Sequence, residues 1–306
     1  MKEGRLKIIL AFVSIYIIWG STYLALRFGI ETIPPFLLSA MRFLIATILL
    51  FSYCLIKRKP FPNFKSVINN SICGVLMLGG GTVSVAWSEQ YVPSSTAAII
   101  VTFLPFWFVL LDKKQWSYYF SNKIILLGLL LGFAGVFLLT SFTHTDTSAL
   151  NKPGNATIGV IAILCGGIAW TVGSLISKYA TLSSDLLMNA AIQLFATSVV
   201  CFLISIATGE LRSFSFHHIS DHSFYALIYL ATIGSIVAYV SYIYLLSVKP
   251  AVQVSTYVYV NPVIAVLLGV LLANETMSFA EVISLFIILC GVLLVNMPKY
   301  LVMKKL

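Results

Sequence analysis

Apolar residues along this chain are grouped in ten long stretches that are separated by short polar connections. A helix that crosses the hydrocarbon core of a bilayer needs about 20 predominantly apolar residues, and each stretch is close to that length. We therefore predict an all-α fold with ten transmembrane helices. The predicted spans are Lys7–Gly29, Phe36–Ile56, Val67–Ser88, Ser94–Leu111, Lys123–Thr140, Thr157–Lys178, Asp185–Ala207, Ser223–Leu246, Val252–Ala273 and Ser278–Met297.

The composition supports a membrane protein with the lipid bilayer as its surroundings. Hydrophobic residues make up 59% of the chain and charged residues 9%, against about 25% charged residues in soluble domains. The first apolar run continues to Gly29 without a small-residue cleavage pattern, so we interpret it as a retained span rather than a secretory leader. The connections are too short for a separate soluble domain, since domains usually begin near 50 residues.

The basic residues indicate how the chain is oriented. On alternating sides of the predicted spans, 15 basic residues lie with the N-terminus, and only Lys152 and Arg212 lie on the other side. The positive-inside rule then places both termini in the cytoplasm. The net charge of +9 thus reflects orientation, and we predict no nucleic-acid partner. We expect Arg27 and Arg42, which lie within spans, to snorkel to the outer surface.

Residues of the same type recur at a nearly constant distance, which indicates an internal repeat. Two pairs are 151 residues apart and two are 157 apart: Trp19/Trp170 and Arg27/Lys178, then Pro93/Pro250 and Pro105/Pro262. We predict one repeat at 7–140, an outer connection at 141–156 and a second repeat at 157–297. Because each repeat has five spans, the second enters the membrane from the opposite side. Such inverted repeats are typical of secondary transporters, with a site near mid-membrane.

Aromatic and polar residues recur on one face of several predicted spans. Polar groups in hydrocarbon are costly unless they are paired or line a cavity, so these faces should point to the bundle interior. The alternative roles are interhelical hydrogen bonds and interfacial aromatic anchors. The candidate substrate-binding residues from this pattern are Trp19, Tyr23, Trp170, Ser174, Tyr239, Tyr242, Tyr257 and Asn261. Glu89, which ends the third span region, is a further candidate that could accept a proton or a substrate amine.

Other conspicuous residues receive structural interpretations. Pro105 and Pro262 lie deep within spans and predict local kinks. Asp112 is expected to pair with Lys113 or Lys114. Small residues allow close helix packing, which is the role we predict for Gly79, Gly80, Gly81, Gly128 and Gly132.

Signatures of enzymes are missing from the sequence. It has no H-E-x-x-H, G-x-S-x-G, P-loop or dinucleotide-binding pattern, so we predict no catalytic residue, no metal and no cofactor. His217, His218 and His222 could bind a metal, but we interpret them as part of an exposed loop. An intramembrane enzyme acting on lipid or peptide is kept as the alternative function.

Three strings resemble a known family. They are YIIWGSTY (Tyr16 to Tyr23), SEQYVPSS (Ser88 to Ser95) and YVNPVIAVLLG (Tyr259 to Gly269), the last followed by Glu275. Together, and in this order, they are similar to the EamA family of the drug/metabolite transporter superfamily. The resemblance implies an exporter of small metabolites, such as amino acids, related compounds or drugs, in the bacterial inner membrane. It places Trp19, Glu89, Gln90 and Asn261 at motif positions, and a coupling ion such as a proton is left open.

Overall fold

The computed structural model describes residues 2–88, 90–92, 97, 100–142, 156–180, 182, 185–273 and 279–297, and in these residues the regular structure is helical, with no strand. Ten main helices in the described part of the chain follow the predicted spans in order. They are α1 (Lys2–Gly29), α2 (Pro35–Ile56), α3 (Phe64–Ser88), α4 (Leu104–Leu111), α5 (Lys123–Phe142), α6 (Ala156–Tyr179), α7 (Leu186–Ala207), α8 (Asp221–Val248), α9 (Tyr257–Ala273) and α10 (Phe279–Asn296). The first residues of the predicted fourth span lie outside the described ranges.

Six of the described helices are each long and apolar enough to cross a bilayer: α1, α2, α3, α6, α7 and α8. The segment Lys113–Ser121 and α5 together have the length and hydropathy of a further crossing, with a bend of 92° between them. The described helices α4 and α9 are shorter, at 8 and 17 residues. The structure therefore has the helical content of a polytopic membrane protein.

Each main contact between helices of the first five and the last five has a counterpart in which the two groups have swapped roles. α2 packs along α7, and α5 packs along α10. α1 contacts α8 and α9, and in the same way α6 contacts α3 and α4. The interior is therefore built jointly by the two groups of five helices.

Asp185 begins α7 and ties it to the connection after α2. Its carboxylate accepts hydrogen bonds from the N–H groups of Leu187 and Met188 at 3.1 and 3.0 Å and pairs with Lys59 Nζ at 2.7 Å. Burial raises the pKa of this carboxyl, but the Lys59 and amide N–H groups outweigh burial, so the pKa lies below its ordinary 3.8. The ionised form of Asp185 is thus the one that the fold stabilises.

Glu210 makes the corresponding contact with α2. It follows α7, and its carboxylate accepts hydrogen bonds from the N–H groups of Phe36 and Leu37 at 3.4 and 2.9 Å. These donors belong to the first turn of α2, where N–H groups have no partner within the helix. Burial raises the pKa of Glu210 above its ordinary 4.5, although both N–H groups oppose the change. Glu210 and Lys59 are 151 residues apart, the spacing of the tryptophan pair.

Two helices are locally widened. Val75–Thr82 in α3 and Leu230–Ala238 in α8 have π-helical hydrogen bonding, and these segments begin 155 residues apart. A π segment changes which side chains face the interior and is frequent at functional sites. Sequence analysis did not predict either segment.

Glycines bring α5 and α10 into backbone contact, as predicted for Gly128 and Gly132. A Cβ atom at Gly291 of α10 would lie 2.5 Å from the Gly132 nitrogen and 2.8 Å from the Gly128 carbonyl oxygen. Real side chains do not reach such distances, so only glycine fits there. The packing role predicted for these glycines is confirmed.

The predicted ion pair of Asp112 with its neighbouring lysines is wrong. Asp112 is 1% exposed, and its carboxylate accepts hydrogen bonds from the hydroxyls of Tyr119 at 2.7 Å and Tyr179 at 2.8 Å. The ammonium of Lys114 lies instead over the Tyr179 ring, 4.4 Å from its centroid. Two tyrosine hydroxyls satisfy the buried carboxylate, so a lysine is not needed.

One of the two deep prolines does not form the predicted kink, and for the other the kink stays a prediction. Pro105 lies in the first turn of α4, after Phe103, where a missing N–H costs nothing, so it starts a helix instead of bending one. Pro262 lies inside α9. The chain is interrupted earlier, at Ser255, between α9 and the short helix Ala251–Val254.

Candidate functional site

A cavity of about 110 Å³ lies in the interior between the two groups of helices. Its wall comes from α1, α2, α3, α4, α6, α8 and α9. Since one water molecule needs roughly 10–15 Å³, the cavity has room for a small organic molecule. Six predicted residues line it: Trp19, Tyr23, Trp170, Tyr239, Tyr257 and Asn261.

An aromatic cluster forms one side of the cavity. The rings of Trp19 and Trp170 meet edge to face, with centroids 5.6 Å apart. The centroid of the Trp19 ring also lies 4.6 Å from that of Tyr257 and 5.2 Å from that of Tyr242. Contacts of this kind add to the energy of apolar burial. The repeat-related tryptophans are thus in direct contact, with one contributed by each half of the chain.

Tyr242 and Ser174 lie behind this wall. Trp170 Nε1–H donates to the Tyr242 hydroxyl at 2.8 Å, and Ser174 Oγ is 2.7 Å from the same hydroxyl. Both residues are fully buried and are not among those that line the cavity. Their position makes them supports that fix the Trp170 indole, rather than residues that touch a ligand.

Tyr239 is held by a buried chain of amide side chains. Its hydroxyl donates to Gln193 Oε1 at 2.7 Å, and Gln193 Nε2 donates to Asn70 Oδ1 at 2.8 Å. Asn70 Nδ2 in turn donates to Asn189 Oδ1 at 3.0 Å. This network crosses from α8 through α7 to α3, and sequence analysis did not single out its amide residues.

Asn261 has an acceptor without a partner. Its side chain is 2% exposed, and within the described residues Oδ1 has no hydrogen bond. An unpaired buried acceptor costs about 1–3 kcal/mol. A donor group on a bound molecule would remove that cost, since Asn261 lines the cavity.

Of the remaining two predicted residues the structure describes one, Gln90, which does not line the cavity. Gln90 is half-buried, and its Nε2 donates to the carbonyl oxygen of Trp87 at 3.1 Å. Glu89 lies outside the described residues. Its proposed role as a proton or amine acceptor stays a prediction.

Arg42 is the residue that sequence analysis misplaced. We expected it to snorkel to the surface, but it is 4% exposed and lines the cavity. Its Nε–H donates to Ser235 Oγ at 3.1 Å. The segment around Arg42 packs against the π segment of α8, which encloses the side chain before it can reach an interface.

Both π segments contribute to the cavity wall. Gly81 and Thr82 come from α3, and Gly234 and Ser235 come from α8. A Cβ atom at Gly81 would lie 2.6 Å from Trp170 Cε3. The glycine therefore leaves the space that the indole occupies.

The histidine loop has no metal-binding arrangement in the part of the chain that the structure describes. His217 and His218 lie in the short 3-10 turn Phe216–His218. Within the described residues, no three or more His, Cys, Asp or Glu side chains lie together so as to hold a metal ion.

Comparison with known proteins shows that one protein-family model matches this chain at two places. The model of the EamA-like transporter family matches residues 6–141 and again residues 157–297. These two segments lie close to the repeats that the spacing of tryptophans and prolines predicts.

Several named relatives match over nearly the whole chain. The chain is 39% identical to the uncharacterized inner membrane transporter YedA of Escherichia coli strain K12, over 95% of this chain and 91% of YedA. It is 23% identical to the uncharacterized transporter YoaV of Bacillus subtilis, over 94% and 95%. One crystal structure matches with a TM-score of 0.73 at 19% identity, over 94% of this chain and 96% of that one, which shows the fold. The chain therefore belongs to the EamA-like transporter family.

Proposed function

We propose that this protein is a secondary transporter that exports small metabolites, such as amino acids or related compounds, across the inner membrane. Membership in the EamA-like transporter family supports transport. The name of YedA, an inner membrane transporter, supports the location.

The proposed architecture is ten transmembrane helices in two inverted five-helix repeats, with both termini in the cytoplasm. The double match at 6–141 and 157–297 supports duplication. The exchange pattern of helix contacts and the two π segments support it too. The 15 to 2 distribution of basic residues supports the orientation.

The observation that carries the proposal is the cavity shared by both groups of helices. Its wall includes Trp19 from the first group and Trp170, Tyr257 and Asn261 from the second. Aromatic faces and an amide acceptor suit a small organic molecule, since ligand pockets are mostly apolar with a few placed polar groups. A rocking motion of the groups would then expose this site to either side of the membrane in turn.

The sequence contains no P-loop, so an ion gradient or the gradient of the substrate itself is the proposed energy source. Glu89 is the residue we propose for a proton-coupled step. Its substitution by Gln should remove the dependence of transport on an imposed pH gradient while leaving substrate binding in place.

Efflux from intact cells tests the proposal. Cells that express the wild-type protein should lose preloaded labelled amino acids faster than cells with an empty vector. Trp19→Ala should abolish the difference, because it removes the ring that contacts Trp170 and Tyr257. Phe202→Ala is the matched control, since Phe202 is an aromatic residue that is 44% exposed on α7. Equal efflux from vector, Trp19→Ala and wild type at equal protein levels contradicts the proposal.

A further inference from the structure

Arg42 is a buried cation in the wall of a mostly apolar cavity. It is 4% exposed, and burying a charge is costly unless the charge finds compensation. Within the described residues the one ion pair shorter than 4.0 Å joins Lys59 to Asp185, so no described carboxylate compensates Arg42.

The known contacts of Arg42 use only part of its hydrogen-bonding capacity. The guanidinium carbon lies 4.7 Å from the centroid of the Phe43 ring, and Nε–H donates to Ser235 Oγ. These contacts hold the plane of the group in place. The terminal nitrogens carry four further N–H donors, and among the described residues no hydrogen bond from them is found.

The space in front of those donors is open to the cavity. Nη2 lies 3.7 Å from the position that a Cβ atom on Gly234 would take, and Gly234 also lines the cavity. Because Gly234 has no side chain, nothing from that position covers the guanidinium. A planar fork of N–H groups matches the paired oxygens of a carboxylate or a phosphate, which it binds with two parallel hydrogen bonds.

The charge of the wall limits the ligand further. Arg42 is the single charged side chain among the described residues that line the cavity. One fixed positive charge balances a monoanion and leaves a second negative charge uncompensated. The remaining wall offers the rings of Trp19, Trp170 and Tyr257 and the acceptor of Asn261.

We propose that Arg42 binds the carboxylate of the transported molecule, so that the substrate class is small monocarboxylates with an apolar or aromatic body. This assignment rests on the proposed transport function. Asn261 Oδ1 accepts a hydrogen bond from an amino or amide N–H group of the same molecule. Amino acids and their N-acyl derivatives carry both groups.

Binding to purified protein in detergent tests the assignment without any transport step. The probes are 3-phenylpropionate, L-phenylalanine and L-leucine, each compared with its primary amide at equal millimolar concentration. A ligand that binds the folded form raises the thermal midpoint. We expect at least one carboxylate to raise the midpoint of the wild type while its amide does not.

Three variants separate recognition from general charge. Arg42→Gln and Arg42→Lys should weaken carboxylate binding by about tenfold or more, since lysine keeps the charge but lacks the planar fork. Ser235→Ala keeps the guanidinium and loosens its orientation, so it should weaken binding by a smaller factor. Arg58→Gln is the control, because Arg58 is an exposed cation in the connection after α2. If Arg42→Gln does not fold, the acid and amide comparison on the wild type and on Ser235→Ala still decides.

Amides that stabilise the wild type as well as the acids do would overturn the assignment, and so would a complete lack of stabilisation by the carboxylates. Efflux measurements distinguish this failure from failure of the proposed function. If the wild type exports amines or amides through a pathway that Trp19→Ala blocks, the protein is a transporter and the role of Arg42 is refuted. If carboxylates bind through Arg42 but wild-type efflux equals the vector, the transport function is refuted instead.

Discussion

Substitution of Gly81 by alanine should move Trp170 and damage the site while leaving the fold intact. Gly81 faces the indole across the contact between α3 and α6, and a new Cβ atom would lie 2.6 Å from Cε3 and 3.0 Å from Cβ of Trp170. Ordinary carbon contacts are about 3.5–4.0 Å. The indole must therefore retreat by roughly 1 Å, which stretches its 2.8 Å hydrogen bond to Tyr242.

The magnitude follows from packing. Overpacking a well-filled interior costs typically about 1–3 kcal/mol, which corresponds to a loss of affinity by about fivefold to about 150-fold if the cost falls on the ligand-bound form. Gly79→Ala is the matched control in the same π segment, because its Cβ would meet Thr197 Cγ2 at 3.7 Å, an ordinary contact. Both variants gain the same helix propensity from alanine, so this contribution cancels between them.

Efflux of labelled amino acids and the thermal midpoint of purified protein should be measured for both variants. We expect Gly79→Ala to resemble the wild type in both assays, and Gly81→Ala to lose transport and have a lower midpoint. Equal transport by Gly81→Ala and Gly79→Ala would refute the reasoning that the position of the Trp170 ring shapes the site.

Three further predictions concern stability. Asp185→Asn keeps the N-cap but removes the charge. Because the pKa of Asp185 is depressed in the folded protein, the stabilisation that its carboxylate provides is complete above the ordinary pKa of 3.8 and is lost as the pH falls below that value. A midpoint titration should therefore show the variant less stable at pH 7, with the difference from wild type vanishing in acid. Gln193→Leu leaves the Tyr239 hydroxyl without its acceptor and should lower the free energy of unfolding in denaturant by about 1–3 kcal/mol. The control Thr208→Ala, at an exposed helix end, should leave that free energy unchanged. Gly291→Ala should prevent close packing of α5 and α10 and sharply reduce the yield of folded protein, and a normal yield would contradict the backbone contact.

Much of the architecture can be predicted from the sequence because length and hydrophobicity identify membrane helices. The predicted bounds of α2 and α7 differ from the observed ones by one residue at the start. The helical faces of Trp19 and Trp170 and their constant spacing predicted that both face the interior, although not that their rings touch. A polar face inside an apolar helix leaves few places for its side chains except an interior cavity.

The sequence did not predict how deeply a side chain lies in the bundle or which neighbouring side chain covers it. Arg42 looked like a snorkelling residue because its distance from the outer surface was judged from its span alone, whereas α8 covers it. Tyr242 and Ser174 share a helical face with cavity residues but lie behind the Trp170 indole. A helical periodicity places residues on a face and does not say which neighbour comes between them and a ligand.

The paired π segments make the cavity sensitive to chain length as well as to composition. Each follows a hydrogen-bonding pattern one residue longer than that of the surrounding α-helix. Deleting one residue from Val75–Thr82 or Leu230–Ala238 would let the segment return to ordinary α-helical winding and redirect the side chains within it. The shortened helix would remain just as apolar, yet a different set of side chains would face the cavity. Single-residue deletions at these two places should thus erase ligand recognition even when they spare insertion into the membrane.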